Sequence, residues 1–153
     1  MEPNVVSKPT FTIVGMKYRG KPEGDEIPDL WREFNPRIRE IKYLTPSDES
    51  YGVMDNYDEK TGQFDYVSAV EVSKVVDVPE GMMSWDIPAN KYATLEFEFS
   101  EIRQAFDNIY RWIPESGNER APGPEFEYYP PEFDPDDPDS RMQIYIPIKL
   151  KHQ

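Results

Sequence analysis

The sequence predicts an α+β domain of duplicated β-α-β-β units related by pseudo-two-fold symmetry. Its antiparallel sheets carry two helices on one face and leave the other face for a groove. Three observations predict it: strand-length apolar runs occur in both halves, each half holds one segment with apolar residues at helical spacing, and the order strand, helix, strand, strand recurs. The 153 residues match the size of one domain. The whole chain, 1–153, is therefore read as one unit, with repeats over about 9–78 and 82–151.

Phe11 to Tyr18 (FTIVGMKY) is β-branched and apolar and ends at Arg19-Gly20, as a strand does. Pro28 then opens a segment in which Leu30, Trp31, Phe34, Ile38 and Ile41 recur at helical spacing, with Asp29 and Glu33 near the end where the helix dipole favours acids. Pro36 should kink or break it. Two β-rich runs, Tyr51 to Tyr57 and Phe64 to Ser73, flank DEKTGQ, whose Gly62 suits a hairpin. After VPEG the order repeats. Ser84 to Phe99 is β-rich around IPANK, and Ser100 is a suitable N-cap for a helix bearing Ile102, Ala105, Phe106, Ile109 and Ile113, which Pro114 should stop. The loop PESGNERAPG, a strand from Glu125 to Tyr129, the acidic turn PPEFDPDDPDS and a strand from Met142 to Leu150 complete the second half.

Lys and Arg total 17 against 30 Asp and Glu, a net charge of -13 with no basic stripe, so nucleic acid is not an expected direct partner. The absence of cysteine excludes disulfides, thiol catalysis and thiolate metal sites. The single histidine, His152, is one residue from the C-terminus, a poor place for a Ser-His triad, a histidine metal site or a haem ligand, and no metal or cofactor is expected. MEPNVVSKPT lacks a signal-peptide pattern and no long apolar run occurs, which reads as a cytoplasmic protein without membrane contact.

Alternation assigns faces within strands. Met142, Ile144, Ile146, Ile148 and Leu150 form the core side of the last strand, with Tyr145 opposite; FEYY groups Glu127 with Tyr129, and YGVMDNY groups Tyr51 with Val53, Asp55 and Tyr57. The expectation is that Glu127, Tyr129, Tyr145 and Tyr51 share the face away from the core. An acid among rings is a counter-charge for a flat cation. The same residues also fit β-propensity and a solvated acid, and alternation leaves both readings open.

The ordered segments GQFDYVSAVEV, VPEGMMSWDIPANKYATLEF, IYRWIPESG, PEFEYYP and IYIPIKL resemble the effector-binding domains of AraC-type and MerR-type multidrug regulators, also found alone as GyrI-like proteins, from Thr12 to Lys149. The resemblance implies a duplicated β-α-β-β fold with a ligand in a groove between the halves, and lipophilic cations or other flat drug-like molecules as ligands. It implies that Glu127 faces the ligand's positive charge, that Tyr145 matches a pocket tyrosine, and that Tyr66 and Tyr51 lie where pocket aromatics are expected. Trp112, on the flank of its helix's apolar stripe, fits a pocket wall or a cap on the core equally. Trp31 has the same ambiguity and leans toward core; Trp85 has no assigned role. Unlike the regulators, the chain has too few residues before Thr12 for a helix-turn-helix, so its own DNA contacts are not expected and a separate regulator or other protein is the partner to consider.

The leading function is a small-molecule-binding domain that sequesters or senses a lipophilic, aromatic, cationic compound. One alternative is a hydrolase of strained electrophiles, with Glu127 as general base and Tyr145 or Tyr66 donating to the leaving oxygen. Another is a protein-interaction module using the acidic run Glu132 to Asp139, although that Pro-rich composition also fits a solvated turn and does not fit an EF-hand.

Overall fold

The structure, a computed structural model, describes residues 2–151, so His152 lies outside the described residues. The elements are β1 (Asn4–Lys8), β2 (Phe11–Gly20), α1 (Glu26–Phe34), β3 (Ser50–Asp55), β4 (Phe64–Val72), β5 (Met83–Ile87), β6 (Asn90–Glu98), α2 (Ile102–Glu115), β7 (Asn118–Arg120), β8 (Glu125–Tyr129) and β9 (Arg141–Leu150). The strands pair antiparallel in the order β1-β6-β9-β8-β3-β4-β2-β5, with β7 on β9. This is the α+β architecture the sequence predicts.

Two strands are additional to the expected set. β1 falls in MEPNVVSKPT, where a short edge strand with three exposed residues shows little alternation, and β7 lies inside the loop PESGNERAPG. Pro36 acts as expected: α1 ends at Phe34 and the chain continues as a 3-10 turn, Asn35–Glu40, because proline has no N–H to donate. Pro114 does not stop α2; it sits in the last turn and the helix runs on to Glu115. Ser100 is not the cap either, since Phe99–Glu101 form a 3-10 turn and no side chain caps α2.

The halves meet where β3 pairs with β8. β3, β4 and β2 belong to the first half, and β8, β9 and β6 to the second. The outer strands are exchanged. β1 precedes β2 by two residues, Pro9 and Thr10, yet pairs with β6; β5 precedes β6 by Pro88 and Ala89, yet pairs with β2. Links this short can join opposite ends of the strand path only if the sheet curls until its ends adjoin. The Ala89 N–H donates to Thr10 Oγ1 at 3.0 Å and ties the two links together. Rings report the same curl: Phe11 in β2 and Phe126 in β8 would stand ~14 Å apart across three strand spacings of a flat sheet, yet their centroids are 5.5 Å apart.

Three apolar clusters result. Leu30 and Phe34 of α1 cover Val14, Met16, Val70 and Val72. Ala105, Ile109 and Ile113 of α2 cover Leu95, Phe97, Ile144 and Ile146. Inside the curl, Phe11, Ile13, Tyr51, Val53, Tyr92 and Phe126 fill the face away from the helices. The groove expected on that face is filled at its centre, because curvature brings side chains from distant strands into contact, and what opens on the face lies at its margin, beside Val67, Met83 and Trp85. Among the described residues no helix is long and apolar enough to cross a membrane.

α1 has only nine residues and is too short to be stable without its docked face. Truncating its fully buried anchor, Phe34→Ala, is expected to cost about 3–5 kcal/mol in urea unfolding and to speed amide exchange in α1 more than in α2.

Candidate functional site

Register decides which face carries Glu127. It pairs with Gly52 on one side and Ile144 on the other, and directly opposed residues share a face. Ile144 lies under α2, so Glu127 points to the helix-bearing side, at the seam between the halves. Phe126 pairs with Tyr145 and Val53 and points inside the curl, where Tyr51 also lies. The expectation that Tyr145 and Tyr51 share a pocket with Glu127 is thus corrected: they stand on the opposite face of the sheet. Alternation grouped Glu127 with Tyr129 as observed, but period 2 relates residues within one strand and cannot relate one strand's faces to another's.

Glu127 is 8% exposed. Its Oε1 accepts hydrogen bonds from the hydroxyls of Tyr66 and Tyr129, both at 2.7 Å, and Trp31 Nε1 donates to the Tyr66 oxygen at 2.9 Å. Oε2 receives no hydrogen bond from the described residues. Gly52 makes this arrangement possible: a Cβ there would lie 2.2 Å from the Tyr66 hydroxyl and 2.4 Å from Glu127 Oε1.

A row of rings lies over the seam. Phe34 meets Trp31 at 6.0 Å between centroids, Trp31 meets Tyr129 at 5.5 Å, Tyr129 meets Phe133 at 4.7 Å, and Phe133 meets Phe99 at 5.2 Å. The row runs from α1 to the 3-10 turn before α2. Phe133 comes from the acidic turn, which is closed by Ser140 Oγ accepting from the Asp134 N–H at 2.8 Å. Sequence reasoning missed Phe133 and Gly52, and for Trp31 it leaned toward the core, against which the residue does pack, without seeing its bond to Tyr66. The signal for Phe133 was one large apolar residue in an otherwise charged, Pro-rich turn; for Trp31 it was an indole N–H that needs an acceptor once buried. Trp112 packs against the cluster beneath α2 and joins neither the aromatic row nor the hydrogen-bond chain.

Three acids on the sheet differ in what faces them. Burial raises the Asp65 carboxyl, but hydrogen bonds from Asn56 (2.7 Å) and Arg19 (3.0 Å), with Lys17 at 3.7 Å, hold it below the usual range. Glu125, two residues before Glu127, is paired with Arg120 and accepts from the Tyr110 hydroxyl at 2.7 Å. Glu127 has no basic partner among the described residues, and burial raises its carboxyl above the usual range despite the two tyrosine donors. Burial, then the charge of Glu127, pushes both Tyr66 and Tyr129 well up, so they stay protonated as donors. Since Oε1 already accepts two hydrogen bonds, a proton on Glu127 belongs on Oε2.

Two clefts open at the surface. The first, ≈ 220 Å³, is lined by Ile38, Leu44, Asp48, Glu49, Glu71 and Ser50, among others. Ser50 is the register partner of Tyr129, which places this acidic cleft two register positions from the Gly52–Glu127 pair. The second, ≈ 250 Å³, surrounds the Asp65 network with Met83 and Trp85. Glu127 lines neither.

A family model for integron-associated effector binding proteins matches residues 4–148. The transcriptional regulator BrlR of Pseudomonas aeruginosa is 39% identical over 152 residues, covering 97% of this chain and 56% of the regulator, so the chain spans little more than half the length of that relative. Among solved structures, SAV2435 bound to tetraphenylphosphonium superposes with a TM-score of 0.75 at 19% identity, covering 97% of this chain and 94% of that one. The EcmrR C-terminal domain gives 0.75 at 14% identity, with 97% and 98% covered. A hydrolase from Listeria innocua gives 0.64 at 13% identity, with 97% and 92% covered. At these identities the structural likeness establishes the fold alone.

Two outcomes follow from the geometry. Gly52→Ala should destabilise by about 1–3 kcal/mol in urea unfolding, because the methyl group and the Tyr66–Glu127 hydrogen bond claim one space. Glu127→Gln should melt above the wild type at pH 8. A raised folded pKa adds stability that is complete below the unfolded glutamate value, about 4.3, and is lost as pH rises through the folded value. Calorimetry across pH should therefore show the gap between the two proteins widen on alkalinisation; a constant gap would contradict the uncompensated charge.

Proposed function

The chain belongs to the family of integron-associated effector binding proteins, and we propose that it binds lipophilic, aromatic cations between its two helices, with the Glu127 carboxylate as counter-charge. The observation that carries this reading is a buried carboxylate with no basic partner. Its Oε1 is oriented by two tyrosines and its Oε2 has no hydrogen-bond partner among the described residues. Leaving such a charge unpaired is unfavourable for the free protein. A ligand cation supplies the missing charge, which makes binding favourable at the point where the empty site is least stable.

The surrounding rings fit the rest of such a ligand. Trp31, Tyr129 and Phe133 present apolar area and ring faces to a cation. In the closed arrangement these rings pack on each other over Glu127, so entry requires the row to part. α1, which carries Trp31 and is anchored by only two buried residues, is the element best suited to shift. The acidic cleft beside Tyr129 would concentrate cations next to the opening. That SAV2435 binds tetraphenylphosphonium supports the ligand class, and the similarity to BrlR supports a role in which ligand occupancy is relayed to transcription control.

The hydrolytic alternative keeps Glu127 as base and Tyr66 as a hydroxyl 2.7 Å away, but loses Tyr145, which lies through the sheet from the carboxylate. Hydrolysis of a strained electrophile that stops in Glu127→Gln would favour it over simple binding.

A thermal-shift titration with tetraphenylphosphonium tests the main reading. Saturation at 100 times Kd should stabilise the wild type by about 2.7 kcal/mol. Glu127→Gln should bind roughly tenfold more weakly, as expected for loss of a partly desolvated charge contact. Equal affinity in Glu127→Gln, or equal binding of neutral triphenylphosphine oxide, would remove the counter-charge role.

A further inference from the structure

The curl gathers aromatic rings on the face that lies through the sheet from Glu127, and one cation stands among them. Phe126 and Tyr145 are register partners on β8 and β9, stacked with centroids 4.7 Å apart at 15°. Phe11 meets Phe126 edge-on at 5.5 Å and 74°. Lys8, the last residue of β1, holds its Nζ 5.2 Å from the centroid of Phe11, 5.5 Å from that of Tyr145 and 5.9 Å from that of Phe126.

Lys74 stands over the Tyr43 ring alone, whereas Lys8 stands against three rings at once. Lys17, Lys42 and Lys149 each reach a carboxylate. Among the described residues Lys8 forms no ion pair and no hydrogen bond through its ammonium; the three rings are its partners. The Tyr145 hydroxyl is itself committed to Gln143 Oε1 at 2.6 Å, so the residue offers its ring rather than its oxygen.

We propose that Phe11, Phe126 and Tyr145 form a second cation site, an aromatic cage for a quaternary ammonium group, with Lys8 as a resident occupant that such a ligand displaces. The chemistry of the cage sets the class. A primary ammonium has three N–H donors and the cage offers it ring faces without acceptors, so the hydrogen bonds of Lys8 there are left to water. A quaternary ammonium has no donors to leave unpaired and gains the same attraction to the rings. Lys8 is free to withdraw, since β1 is a mostly exposed edge strand held by β6 alone. The site is separate from that of Glu127, although the adjacent residues Phe126 and Glu127 place the two on opposite faces of one strand.

The test is an NMR titration of the full chain with butyltrimethylammonium chloride, following ring protons of Phe and Tyr at constant ionic strength, with sodium chloride as the control for non-specific attraction to the acidic surface. If Lys8 fills the cage nine-tenths of the time, Lys8→Ala should bind roughly tenfold more tightly than the wild type. Adding Tyr145→Leu, at a half-buried position, should abolish the gain, and adding Glu127→Gln should leave it unchanged. Primary butylammonium should bind Lys8→Ala more weakly than the quaternary probe. Equal affinity in wild type and Lys8→Ala, no response in Lys8→Ala, or loss of the response with Glu127→Gln would overturn the second site. Should the Tyr145→Leu variant unfold, the comparison of wild type with Lys8→Ala decides by itself.

Discussion

Two links of two residues each, Pro9-Thr10 and Pro88-Ala89, impose the shape on which everything else depends. Each must carry the chain between opposite ends of an eight-strand path, and a flat sheet would place those ends far beyond their reach. Curling satisfies the links and turns one face inward, where rings from β2, β3, β6 and β8 meet. With that face filled, both helices lie on the other, and the seam between them is covered by separate side chains rather than by a helix. The ligand site we propose lies at the seam, the part of the outer face least committed to packing.

The energetics of the seam oppose those of the clusters beside it. Under α2 the buried atoms are aliphatic and aromatic, whereas at the seam a carboxylate takes the place of a core residue, and its pairing partner is a glycine. Asp65 shows how this chain neutralises a buried acid, by surrounding it with Arg19, Lys17 and Asn56. Glu127 receives only hydroxyls. Tyr66 and Tyr129 satisfy one oxygen without cancelling the charge, and Trp31 fixes Tyr66 in turn. The rings above pack on one another and shield the carboxylate; in the function proposed here they part and become the walls of the binding site.

Much of the fold was legible from periodicity, because long strands and helices with one buried face repeat their apolar residues at fixed intervals. β9 and α2 are of this kind. β1 was not legible, since an exposed edge strand carries no apolar stripe, and neither was the exchange of β1 with β5, since short links say nothing about which strand is the neighbour. At the site, the pairing of Glu127 with Tyr129 could be read along one strand. Whether that face met the helices or the curl depended on the registers of β8 with β3 and β9, which are long-range facts. Gly52 was invisible for a related reason: its role is to be empty where another strand's side chain needs room.

The exchange of outer strands also bears on what a half-chain is. β2 completes its outer edge with a strand from the second half, and β6 completes its edge with one from the first. Neither half is self-sufficient: severed at the seam, each would present an unpaired strand edge together with a loose arm that fits the other's edge. The complementary arms of two identical halves would match one another equally well, which is the geometry of a domain-swapped homodimer. The intact chain makes the same exchange of arms within one polypeptide. Only once the halves are joined can they differ, with an acid at one position of the seam and a glycine directly opposite.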